Sequence, residues 1–244
     1  MFDMFGPAHL SALAATVLVS WLVVHIGRRP LLAARTSLFS ASIAFVMLAN
    51  EIVWHIYQIN TGTWEVTESL PLHLCDASII VSLVALLTTK QLPYELAYFW
   101  GLGGSVQALL TPVLPEGYTA YEFCRFFISH SGILVAVAYL TFVRRMRPGR
   151  GSVLRTIGIS LAYAAVVAGA NQLLSSNYMY LCEKPSAVSL LDALGRWPWY
   201  LIPMFGIGML MITALYIPFQ IIDWRSNKER PRPNAERGPG QRGR

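Results

Sequence analysis

Seven stretches of mostly apolar residues run along the chain, at about 8 to 27, 38 to 60, 70 to 89, 94 to 114, 121 to 143, 156 to 174 and 197 to 222. A hydrocarbon core of ~30 Å is spanned by roughly 20 such residues in a helix. Unpaired backbone cannot face lipid, so each stretch reads as a membrane-spanning helix. With 55% hydrophobic and 13% charged residues among 244, an ordinary soluble domain is excluded. The expected fold class is all-α, a polytopic membrane protein with seven transmembrane helices placed as a multi-pass protein of the cell membrane. One helical domain is expected over 1–222. The polar, Pro-, Gly- and Arg-rich stretch 223–244 reads as a disordered basic cytoplasmic tail.

Basic residues set the orientation. All lysines and arginines except Arg125, Lys184 and Arg196 fall on one side of the spans, which puts the N-terminus outside and the C-terminus inside. No basic residue precedes the first apolar run, so the first span is expected to be retained rather than cleaved as a signal peptide. The net charge of +6 is then a topology signal, with anionic headgroups as a secondary contact. No nucleic-acid partner is expected.

Polar residues inside the spans are unevenly spread. Glu51 and His55 lie four apart on one helix face. His73, Cys75 and Asp76 open the third stretch, Gln107 and Thr111 lie in the fourth, and Arg125 and His130 in the fifth. All fall in the extracytoplasmic half, while the other half reads as almost purely apolar apart from Ser and Thr. Ionisable groups in hydrocarbon cost several kcal/mol unless paired or hydrated, so such a cluster implies a shared wet cavity. For any single residue the alternative is an interhelical hydrogen bond worth about 1 kcal/mol.

Within "SLPLHLCDAS", residues 69 to 78, Pro71 suits a first helical position, so the third helix is expected to start near residue 70. Cys75 would then sit in the second turn, near the positive helix end. His73 lies about 200° around the helix from Cys75 and shares a face with Asp76 instead. A base for the thiol must come from another helix, and His130, roughly 6 Å deeper, is the candidate. Cys124 and Cys182 fall near the outer surface, where they either pair or remain free. Glu122 and Arg125, three apart, are expected to pair with each other, or Arg125 to hold a lipid phosphate. "GLGG" at 101–104 reads as a close-packing element. Leu190, Leu191 and Leu194 with Trp197 read as a short interfacial helix. His9 and His25 are assigned no chemistry.

Four segments, "LPLHLCDAS", "YFWGLGGSVQALLTP", "FFISHSGIL" and "NYMYLCEKP", together resemble the YwaF-like family of bacterial integral membrane proteins, over about 40 to 190. That family is similar to a eukaryotic group of multi-span acyltransferases that remodel ether phospholipids. More distantly, it is similar to membrane hydrolases of fatty acid esters of hydroxy fatty acids, which use a Thr and a His. The resemblance implies that Cys75 is an acyl-accepting nucleophile and His130 its general base. His73, Asp76, Gln107 and Asn177 fall in the shared motifs without a transferred role.

The expected function is that of a lipid acyltransferase or lipid ester hydrolase working through a Cys–His pair in the outer-leaflet half. His73, Asp76, Gln107, Asn177, Glu51 and His55 are the supporting or oxyanion-binding candidates. Membrane lipids are the expected partners, no cofactor is called for, and no oligomeric state follows from the sequence. One alternative is a zinc-dependent membrane hydrolase built from Glu51, His55, His73, Asp76 and His130. Against it, the seventh stretch lacks the His pair that seven-span zinc hydrolases carry. The other is a non-enzymatic carrier or receptor with a buried polar site, in which Glu51 would relay protons. A retinal-type receptor is excluded, because no span contains a lysine.

Overall fold

The computed structural model describes residues 3–30, 35–112, 114, 117–185 and 190–229. Helix α1 covers Pro7–Gly27, α2 Thr36–Thr61 and α3 Leu74–Thr88. A rod then runs through α4, Gln91–Trp100, a π-helical turn at Gly101–Ser105, and α5, Val106–Leu110. Helix α6 covers Ala120–Phe142, α7 Ser152–Leu174 and α8 Leu201–Glu229. Short 3-10 turns occupy Tyr178–Tyr180 and Leu190–Leu194, and no strand occurs among the described residues.

Five of these helices are long and apolar enough to cross a membrane: α1, α2, α6, α7 and the Leu201–Trp224 part of α8. The other two expected spans are helical but built differently. Helix α3 has 15 residues, about 22 Å of rise, less than a ~30 Å hydrocarbon core. The rod from Gln91 to Leu110 is interrupted by its π turn. Helix α8 runs past the boundary expected at 222, and residues 230–244 lie outside those described.

The start of α3 departs from expectation. His73 is its N-cap and Leu74 its first helical residue, so Pro71 is not at the first helical position and Cys75 lies in the first turn. The cause is tertiary competition for backbone groups. Tyr178 Oη accepts the N–H of Leu70 at 2.9 Å, and Tyr163 Oη donates to the carbonyl of Leu72 at 3.1 Å. The Leu72 carbonyl is thereby drawn away from the ladder of a helix begun at residue 70, whose first N–H groups have no intrahelical acceptor in any case.

Helix α6 is the hub, packing against α1, α2, α3 and the rod, while α7 packs on α4 and α8. The main core lies between these elements and includes Tyr94, Phe99, Ile133, Tyr139 and Leu140. Its buried tyrosines end on backbone carbonyls: Tyr94 on Met146 at 3.0 Å, Tyr98 on Leu215 at 3.1 Å and Tyr139 on Thr36 at 2.8 Å. Each ring thus fills volume while its hydroxyl keeps a partner in a low-dielectric setting.

The glycine run lets the rod approach its neighbours. A Cβ at Gly101 would stand 2.5 Å from Cγ2 of Ile133, which is itself fully buried. The close approach expected from "GLGG" is therefore real, and the absent side chains let the backbone widen into a π turn. Gly101→Ala is expected to push α4 off α6 and lower stability by about 1–3 kcal/mol. Denaturation in detergent, followed by tryptophan fluorescence, checks this.

Candidate functional site

Several of the residues singled out above lie toward one end of the bundle, where α2 ends and α3 and α6 begin. They divide into two groups. The first lies between α2 and α6. Glu51 Oε2 accepts a hydrogen bond from Arg125 Nη2 at 3.2 Å, while its Oε1 accepts from Ser129 Oγ at 2.5 Å and from Asn50 Nδ2 at 3.3 Å. Asn50 also donates to Ser129 Oγ at 2.8 Å. The Arg125 guanidinium lies 4.5 Å from the Trp54 ring centroid, a cation–π contact that suits a partly desolvated arginine. Arg125 and Ser129, four apart, present one face of α6 to α2.

This arrangement corrects the expected Glu122–Arg125 pair. Glu122 instead forms a capping box with Thr119 at the start of α6: its Oε2 accepts the Thr119 N–H at 2.6 Å, and its own N–H donates to Thr119 Oγ1 at 3.2 Å. The helix-start bond takes the carboxylate that spacing alone would give to Arg125.

The second group surrounds the first turn of α3. Asp76, at the third helical position, reaches back to the backbone of His73, satisfying a donor that the helix start leaves open. His73 Nδ1 accepts the Met179 N–H at 3.2 Å. An acceptor nitrogen carries no proton, so any proton on the neutral ring sits on Nε2. The His73 ring also touches Tyr178 and Tyr180, with centroids 5.2 and 5.5 Å apart. Met179 and Tyr180 have φ of 58° and 53°, a left-handed conformation that L side chains seldom adopt. The turn is held by Tyr178 Oη donating to Val66 O at 2.8 Å and by Tyr200 Oη donating to Tyr180 O. Burial raises the Tyr180 phenol above its ordinary value, with the Cys75 sulfur next in effect. Its hydroxyl therefore stays a neutral donor near that sulfur.

Arg125 joins the two groups electrostatically, since its charge reaches Cys75, Asp76 and His130. His130, on α6, is 8% exposed. Its Nδ1 lies 2.9 Å from the carbonyl of Phe126, which can only accept, so Nδ1 carries the proton and Nε2 the lone pair. Cys75 is half-buried and free, and a Cβ built on Gly104 would lie 3.9 Å from its sulfur. No hydrogen bond joins Cys75 to His130 among the described residues.

Other candidates are placed elsewhere. Both ends of the Asn177 amide serve the loop after α7: Oδ1 accepts the N–H groups of Cys182 and Glu183 at 3.1 and 3.2 Å, and Nδ2 donates to Glu183 O at 2.9 Å. Gln107 is exposed on α5, beside a cleft against α8. His55 makes no side-chain hydrogen bond or ion pair among the described residues. Cys124 and Cys182 are both free and exposed, so they do not pair with each other. Among the described residues, no three His, Cys, Asp or Glu side chains converge in a way that would hold a metal ion.

Sequence reasoning missed Asn50, Ser129, Tyr163 and Tyr180. Asn50 and Ser129 each neighbour a residue already singled out, and Ser129 is one helical turn from Arg125, a signal that was available. Tyr163, by contrast, reaches across 91 positions to Leu72, which nothing local announces.

An all-helical chain with several membrane-crossing helices and a polar site at one end of its bundle is a polytopic membrane protein. A model of the TMEM164 family matches residues 4–216, and the chain belongs to that family. It is 27% identical over 222 residues to an uncharacterized protein of Treponema pallidum (strain Nichols), covering 90% of this chain and 91% of that relative. No solved structure matches the chain.

Proposed function

We propose that the protein transfers or hydrolyses acyl groups of membrane lipids through Cys75 and His130, in a single seven-span domain whose site end faces outward. The observation that carries this reading is the His130 tautomer. With its Nδ1–H held by the Phe126 carbonyl, Nε2 is left as the basic nitrogen, the state a general base needs. Further support comes from the free Cys75 thiol in the first turn of α3, a nucleophile once a base takes its proton. The resemblance to the YwaF-like family, and through it to ether-phospholipid acyltransferases, points the same way.

In this mechanism His130 Nε2 takes the Cys75 proton and the sulfur attacks the ester carbonyl. The tetrahedral oxyanion collapses to a thioester, and the departing lipid alkoxide recovers the proton from His130. A lipid hydroxyl or water then attacks the thioester, giving its proton to His130 and restoring the thiol. Oxyanion donors come from the surrounding polar groups, with the Tyr180 hydroxyl and His73 as candidates. Arg125 steadies the developing negative charge from the α2–α6 side.

The carrier and zinc-hydrolase readings gain less support. Glu51 is occupied by Arg125, Ser129 and Asn50, which leaves it neither a free proton relay nor a free metal ligand. The test is capture of the intermediate. Protein incubated with a phospholipid bearing a clickable acyl chain is expected to retain the label in denaturing gels and to release it to neutral hydroxylamine, as a thioester does. Protein that turns over the lipid but never carries such a label would overturn the mechanism.

A further inference from the structure

Helices α1 and α2 each pack on α6 rather than closing against one another. A groove of about 590 Å³ remains between them, with α6 as its floor. Small residues keep it open: Ala12 and Ala15 line it from α1, and at Gly132 of α6 a Cβ would stand 3.0 Å from Met47 Cγ. Its lips are apolar, with Val19 45%, Val46 58% and Ile128 45% exposed. The hydroxyls along it already have partners. Thr16 Oγ1 donates to Ala12 O at 2.8 Å and lies 2.6 Å from Ser131 Oγ, and Ser42 Oγ donates to Phe39 O at 2.8 Å. All three framing helices are long and apolar enough to cross a membrane, so a hydrocarbon occupant leaves no polar group of the groove unsatisfied.

Length decides between a further helix and a lipid chain. From Ala12 to Val23 the groove runs for about 16 Å along α1, close to the ~15 Å that one leaflet contributes to the hydrocarbon core. A partner helix crossing the bilayer would need a face twice as long.

The groove closes at the bundle end opposite Cys75, where a Cβ on Gly27 would stand 2.9 Å from Val143 Cγ2 and 3.4 Å from Phe39 Cε1. Each of the three helices brings an arginine to this corner. Arg28 follows Gly27, and its Nε donates to Phe142 O at 3.1 Å. Arg144 follows Val143, and its Nη1 donates to Thr36 Oγ1 at 2.6 Å. Arg35 is the N-cap of α2. Glu95 and Asp223, the carboxylates described at this end, pair with Arg155 and Arg147 instead. Among the described residues, Arg28, Arg35 and Arg144 therefore have no acidic partner.

We propose that this corner and groove bind an anionic phospholipid of the bilayer. Its phosphate rests among Arg28, Arg35 and Arg144, and one acyl chain lies between α1 and α2. The ends of the three helices mark the edge of the hydrocarbon, which is where a phosphate sits and where arginine meets it as a charge-assisted donor. The lipid bridges two helices that the protein leaves apart, so it holds α1 on the bundle. This site is separate from Cys75 and needs no catalysis.

Native mass spectrometry of the full chain in detergent, titrated with dioleoyl phosphatidylglycerol or dioleoyl phosphatidylcholine, reads the site without turnover. One phosphatidylglycerol per chain is expected to bind about tenfold or more tightly than phosphatidylcholine, and Arg28→Gln with Arg35→Gln should remove that preference, the scale of two lost attractions to an anionic headgroup. Arg150→Gln, which removes an exposed arginine beside Gly149 on the Glu95 side, should keep it. Ala15→Phe fills the groove with every charge intact and should weaken phosphatidylglycerol about tenfold, as filling an apolar pocket does. Val46→Trp, which closes the lip from an exposed position, should do the same and decides the matter if Ala15→Phe misfolds. An equal loss in Arg150→Gln would mean a diffuse basic surface and overturn the proposal. So would unchanged binding in Val46→Trp, or a dimer that Val46→Trp dissociates, which would put a second copy of the chain in the groove.

Discussion

Cys75→Ala is expected to abolish lipid acyl turnover, by about 10⁴-fold or more, as removal of a covalent nucleophile does where residues act as a unit. His130→Gln should cost about 10²–10⁴-fold, the range of general base catalysis. The double variant should be little worse than Cys75→Ala alone, because each side chain works only through the other. The measurement is release of labelled fatty acid or transfer of the acyl chain in proteoliposomes, with folding confirmed by an unchanged elution volume. The half-exposed thiol is packed beside Gly104, so its loss removes little core volume. Retained turnover in Cys75→Ala would remove the thioester route.

The second large effect is on stability and lies at the other end of the bundle. Glu95 is 0% exposed and fully engaged: Oε2 accepts from Arg155 Nε and Nη2 at 3.0 and 2.7 Å, and Oε1 from Gln91 Nε2 and the Gly149 N–H at 2.8 and 3.0 Å. It ties α4 to α7 and to the connection before α7. Arg155→Ala is expected to destabilise by about 3–5 kcal/mol, because it leaves a buried carboxylate without its counter-charge. Glu95→Gln should cost less, about 1–3 kcal/mol, since Arg155 is 44% exposed and can turn to water. Thermal unfolding of the detergent-solubilised variants should rank Arg155→Ala below Glu95→Gln. The reverse order would mean that the carboxylate is already hydrated.

These two ends show what the sequence could and could not disclose. Long apolar runs announced the helices, because a membrane solvent demands internally paired backbone wherever the chain crosses it. Their boundaries were less legible. Pro71 signalled a helix start, yet a tyrosine distant in sequence binds the Leu72 carbonyl and the helix begins at Leu74. Local spacing likewise suggested Glu122 for Arg125, although Thr119 and Glu122 carry a capping-box pattern that assigns the carboxylate elsewhere. The partner in fact found, Glu51, lies 74 positions away. Glu95 sits in the half that read as almost purely apolar apart from Ser and Thr, and its cation lies 60 positions on.

The polar end was more legible than its wiring. Glu51 pairs with Arg125, whose charge also acts on Cys75, Asp76 and His130. Which of them bonds to which depended on helix rotation and on the loop after α7, neither of which hydropathy records.

His9 was assigned no chemistry, and the structure gives it a mechanical duty. Fully buried on α1, its Nε2 lies 2.7 Å from the carbonyl of Leu109 while its Nδ1 accepts the Phe5 N–H at 3.0 Å. The last turn of α5 is thus fastened to the turn just before α1. A purification handle or reporter fused ahead of α1 would sit next to that fastening, which leads through α5 to the glycines beside Cys75.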